Sequence, residues 1–337
     1  MRVLIVGCGY VGLALGARLV AAGHSVTGLR RPGSDPSPLR ERGLEPLHAD
    51  ISKREDLERL PRGWDWVVDC VAPSDGGEAA YRSVYLEGAR QLVAWLRPSP
   101  PLAFVFTGST GVYPQNDGSA VDETGSTEAV SGTGRILRET EDVLLAAADG
   151  FPAMLLRIAG IYGPGRNRIA AMARGESRMM GDGLRWMNMV HRDDLVEAIV
   201  AVLERGQPGR IYNVGDGAPC TEAEFYGWLA NRMGRGVGPG TLRTNPEPGI
   251  PAGTMPGSTA GRRVRGGTNK RVVALRLRQE LGWIPRHPDF RSGYEAEIRN
   301  WEQINSTPVG RGLPSGGGMD AGEGSGSGAR GPVGGKS

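Results

Sequence analysis

The sequence predicts an α/β fold, a doubly wound parallel sheet followed by a smaller C-terminal lobe. Short apolar strand patterns alternate with helical patterns from residue 3 to residue 158. A glycine-rich turn joins the first strand to the first helix. Beyond Gly163 the alternation weakens and shorter elements follow. These three observations favour one large sheet with an appended lobe.

The first 30 residues contain a strand, a turn, a helix and a second strand. Residues 3–6 are an unbroken apolar run, typical of a parallel strand buried on both faces. The helical pattern that follows ends before Gly23, a residue type common just past a helix end. Residues 25–29 predict the second strand. This is the start of a βαβ unit.

The remaining elements follow the same alternation. Further strands are predicted at 44–47, 66–71, 102–106 and 154–158, with helices at 55–60, 78–96 and 135–148. The predicted core therefore covers residues 1–162 and the smaller lobe residues 163–304. Within the lobe we expect a strand at 211–214, a mobile Gly/Pro/Arg loop at 234–268, helices at 169–173, 193–203, 221–233, 274–281 and 290–303, and beyond it a disordered tail at 305–337.

Composition narrows the class of protein. The chain has 54 Gly, 24 Pro, 39% hydrophobic and 23% charged residues, which is ordinary for a globular protein with many loops. No apolar run approaches the roughly 18 residues of a membrane span, and the first strand begins too early for a signal peptide. The three cysteines are too few and too far apart for a disulfide framework or a zinc site. We therefore expect a cytoplasmic protein with no membrane anchor and no metal ligand set.

The basic charge of the chain is local. The formal net charge is +3, but ten basic and four acidic residues lie between 261 and 299. That segment has no interleaved aromatic residues and matches no nucleic-acid-binding module. A solvated basic face explains it better than nucleic-acid binding does.

The glycine turn predicts a dinucleotide site. Its residues are Gly7, Cys8, Gly9, Tyr10, Val11 and Gly12. In such a turn the first glycine permits the tight bend, the second lets a pyrophosphate approach, and the third lets the helix pack closely. The alternative is a turn that binds no ligand. Strand, spacing and helix together favour a Rossmann-type NAD(P)-binding site.

The second strand ends in a basic pair. A site for NAD usually has Asp or Glu there, whereas this chain has Arg30 and Arg31. Two guanidinium groups suit a 2′-phosphate, so NADP(H) is favoured over NAD(H). The alternative is two solvated loop arginines.

Further motifs occur in a fixed order along the chain. They are Ala49-Asp50-Ile51, residues 67–72, Phe106-Thr107-Gly108-Ser109-Thr110-Gly111-Val112-Tyr113, Leu156-Arg157-Ile158, Ile161-Tyr162-Gly163-Pro164-Gly165, His191-Arg192-Asp193-Asp194-Leu195 and Tyr212-Asn213-Val214-Gly215-Asp216. Over about residues 1–305 the chain thus resembles the extended short-chain dehydrogenase/reductase superfamily, also described as the NAD-dependent epimerase/dehydratase family.

The resemblance implies specific roles. The adenine end of the cofactor would lie by Asp50 and Ile51, and Cys70, Val71, Ala72 and Thr107 would line the cofactor. Ser109 occupies the place of the family's substrate-orienting Ser or Thr. The resemblance also implies a small carbonyl or sugar-like substrate, and a homodimer formed through helices 79–96 and 135–148.

The family's Tyr-x-x-x-Lys dyad is missing. The resemblance puts Thr133 at the Tyr position and Leu137 at the Lys position. No shift in register restores the dyad, because the only lysines are Lys53, Lys270 and Lys336 and no tyrosine lies between Tyr113 and Tyr162. An aliphatic hydroxyl is a far weaker acid than a phenol, so Thr133 is no simple substitute.

Two functions remain open. One is an NAD(P)-dependent oxidoreductase or epimerase-type enzyme with an atypical proton donor. The other is a catalytically inactive NADP(H)-binding sensor or scaffold. Tyr113, Tyr162 and His191 are weaker candidates for catalysis, because packing and helix capping explain them better. Arginines of the smaller lobe could receive an anionic substrate, namely Arg166, Arg168, Arg185 and Arg192.

Overall fold

The computed structural model describes residues 1–74, 77–128, 132–235, 243–245 and 268–306. Most of the predicted mobile loop and of the predicted tail lies outside these residues. Within them, no helix combines the length and the apolar character that crossing a bilayer requires.

The described residues form short and long elements along the whole chain. In chain order the strands are β1 (Arg2–Val6), β2 (Ser25–Arg30), β3 (Glu45–His48), β4 (Trp66–Asp69), β5 (Ala103–Ser109), β6 (Ala120–Val121), β7 (Ala153–Ile158), β8 (Gly160–Tyr162), β9 (Arg178–Met180), β10 (Trp186–Met187), β11 (Met189–His191), β12 (Ile211–Val214), β13 (Cys220–Thr221), β14 (Arg243–Asn245) and β15 (Arg271–Val272). The helices are α1 (Tyr10–Ala21), α2 (Ser37–Arg40), α3 (Arg54–Glu58), α4 (Glu78–Tyr81), α5 (Gly88–Leu96), α6 (Gly132–Ala146), α7 (Ile169–Ala173), α8 (Arg192–Arg205), α9 (Glu222–Arg232), α10 (Arg276–Leu281) and α11 (Phe290–Ser306).

Seven strands form one parallel sheet in the order β12-β7-β5-β4-β1-β2-β3. This confirms the predicted doubly wound parallel sheet. From β1 the chain adds strands first on one side and then, through β4, on the other, so the order reverses between β1 and β4. Ligands of such sheets bind outside the carboxyl ends of the strands at this reversal.

The structure corrects the placement of residues 211–214. The sequence pattern puts this strand in the smaller lobe, whereas β12 pairs in parallel with β7 and forms an edge of the main sheet. The chain reaches it through α8, which is buried along most of its length. Because residues 159–191 intervene between β7 and α8, the linear pattern hides this return to the sheet.

The sheet has an apolar layer on each face. One layer joins α1, α8 and α10 to the strands, and the other joins α5 and α6 to them. A third apolar cluster lies among α7, α9 and α11 and includes Tyr162 of β8. The predicted helix at 78–96 is α4 and α5 joined by a π-helical segment, Arg82–Glu87. Tyr85 in that segment packs edge-on against Phe106 of β5 at 6.1 Å.

A buried polar network fixes the turn that follows β5. Arg157 of β7 donates two hydrogen bonds to Glu141 of α6, at 2.9 and 2.8 Å, and the two side chains are 3% and 1% exposed. Arg157 also donates to the Tyr113 hydroxyl at 3.0 Å, which in turn donates to Asn213 Oδ1 at 2.7 Å. The network thus ties the turn after β5 to α6, β7 and β12.

Replacing Glu141 by glutamine should lower the free energy of unfolding by about 3–5 kcal/mol, because the buried Arg157 guanidinium would lose its counter-charge. Urea denaturation followed by circular dichroism measures this. The matched control is Glu58→Gln, which removes the partner of Arg54 in an exposed pair and should leave the midpoint unchanged. Equal effects of the two substitutions would contradict the structural role of the buried pair.

Candidate active site

The three glycines of the turn meet different surroundings. Gly7 has a φ of +81°, and a Cβ there would lie 2.7 Å from the Val71 Cα. A Cβ on Gly12 would lie 2.9 Å from the Gly7 carbonyl oxygen. A Cβ on Gly9 would meet nothing within 4 Å. The first and third glycines therefore permit close backbone packing, while the second faces open space.

The helix that follows the turn has an open amino end. Gly9 is the N-cap of α1 and provides no side-chain cap, and the first turn contains no acidic residue. The N–H groups of a first helical turn lack partners within the helix, and the helix dipole makes this end positive. This end of α1 can therefore receive an anion such as a pyrophosphate.

Two guanidinium groups lie beside this turn. The Arg166 Cζ is 5.5 Å and the Arg192 Cζ 5.2 Å from the centre of the Tyr10 ring. Arg192 also pairs with Asp193, with both distances at 2.8 Å. The structure thus brings Arg166 and Arg192 to the glycine turn, which sequence spacing does not predict.

The other two arginines of the smaller lobe lie elsewhere. Arg168 bonds to the Tyr226 hydroxyl in the third apolar cluster. Arg185 donates to the Thr268 carbonyl oxygen at 3.2 Å. The four arginines therefore do not form one anion site.

Arg30 and Arg31 stand at the carboxyl end of β2. Arg30 donates to the Asp35 carbonyl oxygen at 3.0 Å. Arg31 donates to the Ser74 hydroxyl at 2.7 Å, which links the end of β2 to the loop after β4. Both guanidinium groups lie at the sheet edge where strand order reverses.

Asp50 and Ile51 follow β3 at the same edge. Asp50 Oδ1 accepts hydrogen bonds from the Ser52 N–H at 3.0 Å and from the Ser52 hydroxyl at 2.7 Å. Ile51 is buried and contacts Gly88 of α5. The carboxylate is therefore fixed in a tight turn beside the ends of β2 and β3.

Cys70, Val71 and Ala72 follow β4, and Val71 packs directly on Gly7. The Thr107 hydroxyl donates to the Asp69 carbonyl oxygen at 2.9 Å. Burial raises the pKa of the Cys8 thiol to about 12 and the pKa of Cys70 well above its usual value. Both sulfurs stay protonated, so they shape the edge of the site without acting as nucleophiles.

Ser109 ends β5 and caps a short 3₁₀ turn, Thr110–Val112. Its Oγ accepts the Gly111 N–H at 3.0 Å, which leaves the hydroxyl proton able to bond another group. Leu137 of α6 is buried, and its Cδ1 would lie 3.7 Å from a Cβ on Gly111. Thr133 stands one turn earlier on the same helix face and is half-buried. The structure therefore brings Thr133 and Leu137 to the side of the Ser109 turn.

The two tyrosines and the histidine have packing and hydrogen-bond contacts within the fold. The Tyr113 hydroxyl is fully engaged in the Arg157 network, and burial raises its pKa. Tyr162 stacks on Tyr294 with ring centres 4.8 Å apart, and burial raises its pKa further. His191 caps α8, with its Nδ1 accepting the Asp193 N–H at 3.2 Å.

His191, Asp194 and His287 form the one group of three possible metal ligands within the described ranges. Asp194 already accepts the backbone N–H groups of Arg286 and His287, at 2.7 and 3.0 Å, and His287 Nδ1 lies 2.8 Å from it. His191 Nδ1 accepts the hydrogen bond of the α8 cap, whereas the buried His191 Nε2 has no hydrogen-bond partner among the described residues and lies 3.5 Å from Glu297 Oε1. Asp194 and His287 are therefore already bonded to each other, and His191 Nε2 is the unbonded atom of the group.

Asp69 and Lys270 are among the buried ionisable groups that the sequence did not identify. Asp69, the last residue of β4, is 1% exposed, and burial raises its pKa to about 7. Lys270 is buried beside Tyr113, and its ammonium donates to the Tyr113 carbonyl oxygen at 2.8 Å. The position of Asp69 at the end of an apolar strand is a sequence signal that could have identified it. The residues around Lys270 give no sign of its contact with Tyr113, which is 157 residues away in the chain.

The chain matches known proteins over most of its length. The profile of the NAD dependent epimerase/dehydratase family matches residues 3–215. Protein YeeZ of Escherichia coli K12 is 30% identical over 238 residues, which are 69% of this chain and 84% of that protein. A UDP-glucose 4-epimerase of Corynebacterium glutamicum is 25% identical over 87% of this chain and 93% of its own length.

A solved structure shows the same fold. The dTDP-glucose 4,6-dehydratase of Streptomyces venezuelae, solved with NAD and TYD bound, superposes with a TM-score of 0.76. It is 22% identical, and the match covers 90% of this chain and 98% of that one. The architecture is therefore shared with a protein that carries NAD.

Replacing Asp69 by asparagine should make the protein more stable at neutral and basic pH. In the folded state the carboxyl pKa is raised from 3.8 to about 7, so the folded state binds more protons than the unfolded state between these values. Stability from this group is therefore lost as the pH rises. The advantage of Asp69→Asn should grow by up to roughly 4 kcal/mol from about pH 4 to about pH 8, since one pKa unit corresponds to about 1.4 kcal/mol.

Urea denaturation across this pH range measures the difference between the variant and the natural protein. Asp149→Asn, at an exposed position, is the control and should follow the natural protein at every pH. A pH-independent difference for Asp69→Asn would show that Asp69 is ionised in the folded state throughout.

Proposed function

The chain belongs to the NAD dependent epimerase/dehydratase family, and from this premise we propose that it is an NAD(P)-binding oxidoreductase or epimerase-type enzyme. Its substrate on this proposal is a small carbonyl or sugar-like compound. One observation carries the proposal: the open amino end of α1 and Ser109 lie at the carboxyl edge of the same parallel sheet. A cofactor on the first would place its reactive ring toward the second.

The chain's own residues would bind and orient the reactants. A bound nicotinamide would exchange a hydride with the substrate carbon. The α1 amino end and the backbone beside Gly9 would hold the pyrophosphate, and the Ser109 hydroxyl would donate to the substrate oxygen. The proton that accompanies the hydride must come from a group other than Thr133 and Leu137, because neither side chain is a usable acid.

NADP(H) is the cofactor we propose in preference to NAD(H). The support is the pair Arg30 and Arg31 at the end of β2, where their bonds to Asp35 and Ser74 hold both guanidinium groups beside the site. No acidic side chain from β2 stands there to accept the ribose hydroxyls. Arginine forks are well suited to a 2′-phosphate.

The named relatives agree with a sugar-like substrate. The Corynebacterium protein is a UDP-glucose 4-epimerase, and the Streptomyces structure is a dTDP-glucose 4,6-dehydratase. We carry over only what these two names share, a sugar compound as the substrate. A homodimer through α4, α5 and α6 is part of the same proposal, and light scattering after size exclusion tests it.

A second candidate function is a catalytically inactive NADP(H)-binding sensor or scaffold. One observation favours it: Leu137 fills the space beside the Ser109 turn with an apolar side chain. Such a protein would bind the cofactor without turnover. A cytoplasmic location of the protein is part of the proposal with either function.

Arg31→Ser should weaken NADPH binding roughly 10- to 100-fold, because a hydrogen bond to a charged group contributes about 1.5–3 kcal/mol. NADH binding should change little. Isothermal titration measures both affinities, with Arg97→Ser, at an exposed position, as the matched control. Tighter binding of NADH than NADPH by the natural protein, unaltered in Arg31→Ser, would remove the NADP(H) proposal.

Ser109→Ala should lower turnover about 10²- to 10³-fold while cofactor affinity stays the same, because the hydroxyl would act on the substrate oxygen alone. Absorbance at the nicotinamide band, with a panel of carbonyl compounds and nucleotide sugars, measures turnover. Ser99→Ala, at an exposed position before β5, is the matched control and should turn over like the natural protein. Cofactor binding with no turnover on any substrate would favour the sensor or scaffold.

A further inference from the structure

Lys270 is a buried cation that the proposed chemistry does not use. Lys270 is only 5% exposed to solvent. The ammonium donates to the Tyr113 carbonyl oxygen at 2.8 Å and to the Thr268 hydroxyl at 3.2 Å. An ammonium has three donor protons, so one has no acceptor among the residues that the structure describes.

The charge of Lys270 is not balanced by an acid. No carboxylate of the described chain forms an ion pair with it, and the charged group that acts on it is Arg185, of the same sign. Burial and this neighbour lower the pKa of Lys270 from 10.5 to about 8. Burying an ammonium without a counter-ion destabilises a fold, so such a group is a candidate for a functional role.

A lysine at position 270 differs in shape and titration from the arginines that dominate this chain. The chain contains 37 Arg and three Lys, and Lys270 is the buried one within the described residues. Arginine carries its charge on a broad planar fork that does not lose its proton. Lysine presents a compact charge that fits a narrow space and can titrate.

The backbone around Lys270 is held in place from both sides. Asn188 donates to the Lys270 carbonyl oxygen at 2.9 Å and accepts the Val272 N–H at 2.7 Å. Asn269 accepts the Trp186 N–H at 2.9 Å. The ammonium is therefore positioned by a rigid segment, as a binding group needs to be.

Lys270 is also close to the substrate end of the site. Ser109 and Tyr113 are the two caps of the same 3₁₀ turn, and Lys270 bonds to the second of them. Such a turn rises about 2 Å per residue, so its caps are roughly 8 Å apart. The ammonium therefore bonds to the end of the turn that Ser109 begins.

We propose that Lys270 receives an oxyanionic group of the substrate, a phosphate or a carboxylate, while Ser109 holds the reacting oxygen. This inference rests on the proposed function and adds to it the substrate class, a negatively charged carbonyl or sugar-like compound. Arg185, near the ammonium, adds positive potential to the same region. Lys270 is then a binding residue for the substrate and takes no part in holding the cofactor.

The first test uses Lys270→Met with sulfate and acetate as probes of the phosphate and carboxylate arms. Saturating NADP⁺ occupies the glycine turn, so that the probes report on other sites. Thermal unfolding then measures how far each probe raises the melting temperature. One of the probes should stabilise the natural protein, with an affinity roughly tenfold or more weaker in Lys270→Met. Lys53→Met, at an exposed lysine, is the matched control and should respond like the natural protein.

Removing the ammonium should also raise the melting temperature of the probe-free protein, because an unbalanced buried charge is replaced by an apolar side chain of similar length. Lower stability together with an unchanged probe response would show that Lys270 is only a structural donor to Tyr113. That result overturns the inference, as does a natural protein that responds to neither probe.

A second variant keeps the test informative if Lys270→Met does not fold. Lys270→Arg retains the charge but does not titrate. The groups that bear on Lys270 are the Tyr113 ring at 5.9 Å, with Arg157 behind it, and Arg185. As the pH rises from about 7 to about 9, sulfate affinity should fall in the natural protein and stay constant in Lys270→Arg. Parallel pH profiles would overturn the inference.

Cofactor titration of the same preparations separates this inference from the proposed function. Lys270→Met should bind NADPH as the natural protein does. If neither protein binds NADPH while the probe response still depends on Lys270, the proposed function fails and the anion site stands. If both bind NADPH and the probe response does not depend on Lys270, the reverse holds.

Discussion

The ion pair between Glu141 and Arg157 is the interaction on which the arrangement around β5 depends. Both groups are almost fully removed from water, so burial of the Arg157 charge depends on Glu141, which also pairs with Arg138 at 3.4 Å. Through Arg157 the pair also fixes the Tyr113 hydroxyl, and through Tyr113 it reaches Asn213 on the edge strand. The turn that carries Ser109 is therefore supported by charges that cannot be removed singly.

This constraint explains how α6 keeps its place beside the turn that carries Ser109. Glu141 anchors the helix through Arg157, and Leu137, one turn earlier on the same helix face, packs against the Ser109 turn. An apolar residue there satisfies packing without a polar partner. The helix thus retains its structural role independently of any proton transfer.

The fold and the glycine turn could be predicted because their signals are local. Val3 to Val6 and the three glycines lie within one short segment, and each glycine has the surroundings that its position predicts. The edge strand β12 and the buried Lys270 could not be placed, because their partners are far away along the chain. A linear pattern identifies a strand or a lysine but does not show what it will meet. The titration of Asp69 depends likewise on how completely the neighbouring elements exclude water.

The position of Tyr10 links two parts of the molecule that have been described separately. Its backbone belongs to the glycine turn, while its ring lies between an arginine of the loop after β8 and an arginine at the start of α8. A ligand bound at the turn would therefore contact a residue that also packs against both arginines. If such a ligand favours one position of the Tyr10 ring, the arginines that hold this position favour the ligand by the same free energy. The first turn of α1 thus connects the glycine turn to the segments that carry these two arginines.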